Sequence, residues 1–207
     1  IEKVIDFIEK ETVCKNGITL NKKTGKRIAA LIPVHVWGNA CDLEVLNTLC
    51  LKRNIAIVED ASESLGTFYS KNLYKGKHTG TIGTLGCLSF NGNKIITAGG
   101  GGMILTNNAK LARKAKYLTT QAKDDPIKYI HNEVGYNFRL NNLQASLGVA
   151  QLEQIDMILK KKKSIHQMYK GLLDNAQNFY LAEVPSYATN NYWLNILRLN
   201  INEARFD

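Results

Sequence analysis

Ile55-Ala56-Ile57-Val58-Glu59-Asp60 is a short apolar run that breaks off in two carboxylates. Such a run, with no polar alternation, reads as a strand buried on both faces, as in parallel sheets. On its N-terminal side Asp42 stands where a helix cap belongs, and Leu43, Leu46 and Leu49 recur at helical spacing up to Lys52-Arg53. Before that helix lies another apolar run, Ile28 to Val36, ending at Trp37-Gly38. Strand, helix and strand in this order predict a βαβ unit and an α/β fold class. Ligands in such sheets gather outside the carboxyl ends of the strands, and Asp60 falls there.

Downstream, Thr84 to Phe90 and Met103 to Thr106 read as two more strands, and Ala109 to Leu118 as a helix. Between the two strands runs Leu88-Ser89-Phe90-Asn91-Gly92-Asn93-Lys94-Ile95-Ile96-Thr97, followed by four glycines, Gly99 to Gly102. A lysine set among small, flexible and hydrogen-bonding residues is a candidate nucleophile toward a carbonyl carbon. The glycines lack the strand–glycine–helix fingerprint of a phosphate loop and are read as a close-packed turn supporting the lysine. Residues 1–10 have the pattern of a helix, and Asn16-Gly17 through Thr24-Gly25 that of a polar, turn-rich segment. From Asn141 to Leu173 the apolar residues keep helical spacing, as two helices meeting near Asp156. A domain transition is expected there, dividing the chain into residues 1–156 and 157–207. Tyr192 to Leu199 alternates like a strand, without an obvious partner before the chain stops at Asp207.

The chain has 207 residues, 44% of them apolar, and three prolines, which suits a folded core and argues against disorder. It contains no apolar run long enough to span a bilayer and does not open on a signal peptide, so the cytoplasm is the expected location. Cys14, Cys41, Cys50 and Cys87 are scattered, without zinc or redox spacing, and no metal is assigned. The net charge of +9 comes from scattered lysines and the run Lys160 to Lys163 within a helical pattern. A solvated helix face explains it, and any polyanionic partner would gain from the same field, so charge alone names none. A nucleic-acid partner is not expected, since no helix-turn-helix or zinc motif accompanies the charge.

Three roles compete for Asp60. A Walker B acid needs a Gly-x-x-x-x-Gly-Lys-Ser/Thr loop, and a dinucleotide-type acid needs Gly-x-Gly-x-x-Gly; neither occurs. The third is pairing with a pyridinium nitrogen, where a carboxylate keeps the ring protonated as an electron sink.

Ile55–Asp60, Ala61-Ser62-Glu63-Ser64-Leu65-Gly66, Ser89–Thr97, Gly99–Met103 and Gly135-Tyr136-Asn137-Phe138-Arg139-Leu140 stand in the order seen in one family. From Ile32-Pro33-Val34-His35 to about Leu173 the chain resembles the pyridoxal-phosphate-dependent sugar aminotransferases of the DegT/DnrJ/EryC1/StrS group. The resemblance implies an aspartate-aminotransferase-like (fold type I) large domain, incomplete, with the start of a small α+β C-terminal domain. It implies pyridoxal 5'-phosphate as cofactor, with Lys94 bonding its aldehyde carbon and then moving the proton between the donor's α-carbon and the cofactor. Asp60 would pair with the pyridine nitrogen and Ser89 would bond the phosphate. Asn137 would reach that phosphate from a neighbouring subunit, so a homodimer with shared active sites is implied. Ala61 and Ser62 stand where relatives have small residues facing the ring. Glu63 replaces the commoner glutamine and would contact either the cofactor's O3′ region or the sugar.

Phe90-Asn91-Gly92-Asn93-Lys94, Glu63 and Thr119-Thr120-Gln121-Ala122-Lys123 look most like enzymes that aminate C4 of UDP-linked 4-keto-6-deoxy-N-acetylhexosamines in bacillosamine and legionaminic acid pathways. Glutamate is the amino donor this implies. A lysine at 94, where related dehydratases have histidine, points to transamination. The family's Gly-Thr phosphate loop and its ring-stacking aromatic residue have no match before Ile28. The chain is therefore expected to begin inside the large domain and end early in the small one. The competing expectation is a catalytically incomplete fragment or dimerisation module. His35 is expected to be a hydrogen-bonded structural histidine, and Trp193 a packing residue. His131 is ambiguous in the same way, and Arg139 suits either phosphate binding or structural anchoring.

Overall fold

The computed structural model describes residues 1–125, 127–176 and 178–199. Helix α1 (Glu2–Lys10) is followed by strands β1 (Thr12–Lys15) and β2 (Ile18–Asn21), which pair antiparallel across Asn16-Gly17. Both turn residues have positive φ, 50° and 74°, as a two-residue hairpin of this hand requires. The turn and second strand of this hairpin thus fall within the segment read as polar and turn-rich. The hairpin's buried positions are Thr12 and Thr19, so no apolar alternation marks it in the sequence.

Next come β3 (Ala30–Leu31), a 3-10 turn at Val36–Gly38, α2 (Glu44–Lys52) and β4 (Ala56–Asp60). They are followed by β5 (Phe68–Tyr69), β6 (Leu85–Ser89), β7 (Gly102–Leu105) and α3 (Ala109–Thr119). The central sheet has the order β3-β4-β6-β7; the first three strands are parallel and β7 runs against β6. The expected βαβ unit is β3-α2-β4. Its first strand is shorter than the apolar run Ile28–Val36, because Pro33 brings no N–H to the ladder. Pairing continues around it as single bonds, Asp60 N–H to Pro33 O at 2.9 Å and His35 N–H to Asp60 O at 3.0 Å. The N-cap of α2 is Leu43, which makes no side-chain cap bond, and not the expected Asp42; Asp42 stands one residue earlier, its Oδ1 accepting from Glu44 N–H at 3.2 Å. Ile8 of α1, Cys50 of α2, and Ile55 and Ile57 at β4 form one buried cluster, with Val4, Ile28, Leu31 and Leu49 packed on it.

Helices α4 (Asn142–Leu152) and α5 (Ile155–Leu173) meet close to Asp156, as the spacing predicts. Asn141 and Gln144 close a reciprocal capping box at the start of α4. Leu159 of α5 lies against Gly66, whose φ is 86° and whose added Cβ would stand 2.8 Å from the leucine methyls. After β8 (Phe179–Leu181), strand β9 (Ala188–Thr189) returns to pair with β5. The strand expected over Tyr192–Leu199 is confined to β10 (Leu197–Leu199), and it does find a partner, β8. Tyr192, at φ 52°, breaks the extended run before it. Residues 200–207, the end of the expected second domain, lie outside the described residues. Among the described residues no helix is long and apolar enough to cross a membrane.

The face of β4 that carries Ile57 also carries Glu59, which is fully buried. Its Oε1 accepts from the N–H groups of Ile82 and Gly83 at 2.7 and 2.6 Å. Its Oε2 accepts from Gly80 N–H at 2.7 Å and meets His35 Nε2 at 2.9 Å. Cys41 N–H donates to His35 Nδ1 at 3.0 Å, so the proton of this buried ring sits on Nε2. His35 is structural, as expected. Burial pushes the Glu59 carboxyl upward, but the bonds from His35, Gly83 and Gly80 outweigh it and hold the group below its ordinary value. The 80–83 loop therefore lies flat on the sheet, and a Cβ on Gly86 would stand 2.0 Å from Gly80 O.

Alanine in a strand interior normally gains over glycine, but here the clash is with backbone. Gly86→Ala should cost about 1–3 kcal/mol, read as a lower urea midpoint. Glu59→Gln sets an amide N–H against backbone N–H donors and should cost about 3 kcal/mol. Because the folded Glu59 binds its proton less readily than the unfolded, its stabilisation is complete above the ordinary carboxylate range and disappears as pH falls through the depressed value. Urea midpoints measured from pH 7 to pH 3 should show this acid loss in the parent protein and a smaller one in Glu59→Gln.

Candidate active site

Alternation along β4 turns Asp60 away from Glu59, onto the opposite face of the sheet. Asp60 stands beside Cys87 in the parallel register with β6, and Ser89 lies two residues further along that same face. A carboxylate and a hydroxyl thus share one face at the carboxyl ends of adjacent parallel strands. Asp60 Oδ1 accepts from Ser62 N–H at 3.0 Å, and its Oδ2 has no hydrogen-bond partner among the described residues. Ser89 Oγ accepts a long bond, 3.4 Å, from Asn91 N–H. Burial and then the nearby Asp60 charge push the Cys87 thiol up, away from the thiolate form.

The loops that leave the two strands meet through their charged residues. Lys94 Nζ, in the loop after β6, lies 3.5 Å from Glu63 Oε1, in the loop after β4. The two side chains are 13% and 24% exposed, so the pair is only partly screened by water. The other Glu63 oxygen accepts from Trp37 N–H at 2.8 Å, and Trp37 has the uncommon φ of 58°. Lys94 Nζ also lies 4.6 Å from the centre of the Trp193 ring, on whose face a cation is attracted. Trp193 is 7% exposed, and its Nε1–H donates to Asn93 O at 2.6 Å.

The glycine run forms a tight turn behind this loop. Gly101 has φ 80°, and a Cβ there would stand 2.4 Å from a Leu140 methyl; one on Gly102 would stand 2.4 Å from Leu88 O. Asn137 is exposed, with Oδ1 accepting from Arg139 Nε at 3.2 Å, while Arg139 Nη2 donates to Gln121 Oε1 at 3.4 Å. Gln121 O meets His131 Nδ1 at 2.7 Å. Arg139 and His131 thus both hold the 121–122 turn. The described chain brings Asp60, Ser89, Glu63 and Lys94 to one sheet edge. No hydrogen bond or ion pair among the described residues joins Asn137 to them.

Two side chains of this site carry no local signal. Trp193 reads from the sequence as packing, yet it is the ring against Lys94. Asn191, 1% exposed, donates its Nδ2 to Glu63 O and Leu65 O at 2.8 and 2.9 Å. The Asn190-Asn191 pair before two aromatic residues is the sole hint, and nothing in it names a partner more than a hundred residues away.

Known proteins are similar to this chain in sequence and in fold. EpsN of Bacillus subtilis (strain 168), which bears the provisional name of a pyridoxal phosphate-dependent aminotransferase, is 37% identical over 198 residues, covering 95% of this chain and 49% of its own. GDP-perosamine synthase of Vibrio cholerae is 37% identical over 166 residues, 80% of this chain and 44% of its own. Among solved structures, the aminotransferase TlmJ from Streptoalloteichus hindustanus superposes with a TM-score of 0.77 at 25% identity, over 86% of this chain and 48% of its own. The chain spans about half the length of these relatives. The profile of the DegT/DnrJ/EryC1/StrS aminotransferase family matches residues 4–206, well beyond the 32–173 stretch that carries the motifs. With 37% identity over 95% of its length and the family profile running almost end to end, the chain belongs to the DegT/DnrJ/EryC1/StrS family of pyridoxal-phosphate-dependent sugar aminotransferases.

Proposed function

We propose that this protein takes part in the transamination of a nucleotide-linked 4-keto-6-deoxy sugar to the 4-amino sugar, with glutamate as amino donor, for cytoplasmic assembly of surface-glycan precursors. The observation that carries the reading is the sheet edge itself: Asp60 and Ser89 share one face, and the following loop presents Lys94 to Glu63. This donor set fits pyridoxal phosphate. A carboxylate with one free oxygen suits a pyridinium nitrogen, a strand-end hydroxyl suits a phosphate, and the buried, small Ala61 leaves room beside them. When bound, that cofactor supplies an electron sink for charge developing at the substrate carbon.

In this reading Lys94 Nζ is the amine that holds the cofactor and, once displaced, the base that takes the proton from the donor's α-carbon. Asp60 keeps the ring nitrogen protonated. Ser89 donates to the phosphate, and Asn137 reaches a phosphate across a homodimer. Glu63 holds Lys94 and lies at the mouth of the site, where it contacts either the cofactor's O3′ region or the sugar. Residues 1–156 belong to the cofactor-holding domain and 157–207 to the smaller one. The sequence motifs favour a UDP-linked sugar, and the similarity to GDP-perosamine synthase puts a GDP-linked sugar beside it.

The protein, made alone and within any longer polypeptide its gene encodes, should acquire a visible absorption band with pyridoxal phosphate. Lys94→Ala should abolish the band, and Asp60→Asn should lower turnover by about a hundredfold or more while the band persists. Incubation with glutamate and a panel of UDP- and GDP-linked 4-keto-6-deoxy sugars should yield one 4-amino sugar, identified by mass spectrometry. A band that survives Lys94→Ala, or no amino sugar from any form, overturns the reading.

A further inference from the structure

Trp193 is where three parts of the chain meet. Its indole N–H bonds the carbonyl of Asn93, the residue before Lys94, and its ring faces the Lys94 ammonium. Its backbone N–H donates to Asn191 Oδ1 at 3.0 Å, and its carbonyl accepts from Lys162 Nζ of α5 at 3.2 Å. Asn191 in turn is buried: its amide donates to Glu63 O and Leu65 O, and its N–H donates to Thr67 Oγ1 at 3.1 Å. The seat for Asn191 is cut close, since a Cβ on Gly38 would lie 2.0 Å from its Oδ1. A single segment, Asn191 to Trp193, therefore grips the loop after β4 and the loop after β6 together.

The two contacts at Trp193 act on different freedoms of the lysine. The Nε1–H bond fixes the backbone from which the side chain springs, and the ring face draws the ammonium into one region of its rotamer space. An amine already held near its reacting position needs less ordering when it attacks. We propose that Trp193 is a positioning residue for Lys94, setting where the amine stands before the cofactor arrives. This rests on the reading of Lys94 as the amine that bonds the cofactor.

The test follows bond formation at Lys94, not turnover. The neutral amine adds to the aldehyde of pyridoxal phosphate and water leaves; borohydride then delivers hydride to the C=N carbon, leaving a stable secondary amine that peptide mapping assigns to a lysine. Quenching at successive times gives the trapping rate at Lys94 in the parent protein, Trp193→Phe, Trp193→Leu and the stability control Leu46→Ala. Trp193→Leu should trap about tenfold more slowly or worse, and Trp193→Phe, which restores the ring but not the N–H, should recover part of the rate. Leu46→Ala, which empties a buried site in α2, should trap at the parent rate. Equal rates in all Trp193 variants, or an equal slowing in Leu46→Ala, overturn the positioning role while leaving the Lys94 reading intact. Absence of label on Lys94 in the parent protein defeats the Lys94 reading itself. Should Trp193→Leu fail to fold, a Trp193→Phe rate equal to the parent's overturns the role of the indole N–H, and a Trp193→Met variant, which fills the site without an aromatic face, overturns the role of the ring if it traps at the parent's rate.

Discussion

A carboxylate with no access to water holds this structure in register. Glu59 takes four hydrogen bonds, three from backbone N–H groups of the 80–83 loop and one from His35. Burying an ionised carboxyl is expensive, and only such a full set of charge-assisted bonds offsets it. Two consequences follow from strand geometry alone. With Glu59 turned inward, Asp60 must turn outward; with the 80–83 loop pinned to the sheet, β6 must begin where it does. The relation between Asp60 and Ser89, which share a face on neighbouring strands, is thus inherited from a residue on the other face.

The functional edge is assembled from loops rather than from the strands themselves. Each strand delivers one residue, Asp60 or Ser89, with the precision of a sheet, and then hands over to a loop carrying a charge, Glu63 or Lys94. The loops are joined twice: by the ion pair between those charges, and by the Asn191–Trp193 segment returning from beyond α5. Glycine appears wherever this layering brings backbone against backbone or side chain. Gly86 admits the 80–83 loop, Gly101 and Gly102 close the turn behind Lys94, and Gly38 makes room for Asn191.

Most of the sheet is readable in the sequence, because β4 and β6 are bounded apolar runs and α2, α3, α4 and α5 repeat at helical spacing. The exceptions have physical causes. The β1–β2 hairpin buries threonines, so its pattern carries no apolar signal. The run Ile28–Val36 loses ladder bonds at Pro33, and the run Tyr192–Leu199 is broken by the positive φ of Tyr192. Asp60 stands out at a strand end, and Lys94 among the small and polar residues of the loop after β6. Glu59, adjacent to Asp60, does not, since nothing in a linear reading says which of two neighbouring carboxylates faces the core.

Family membership, the βαβ core and the candidate groups Asp60, Glu63, Ser89 and Lys94 were determined by sequence alone, because each depends on residue types, on local spacing or on the order of short motifs along the chain. Tertiary structure decided what those groups touch. The contact between Trp193 and Lys94, the grip of Asn191 on the Glu63 loop and the enclosure of Glu59 join residues some 20 to 130 positions apart. Such contacts arise only after the chain has folded back on itself: the 80–83 loop must lie on the sheet to enclose Glu59, and β9 must pair with β5 to bring Asn191 and Trp193 to the two loops.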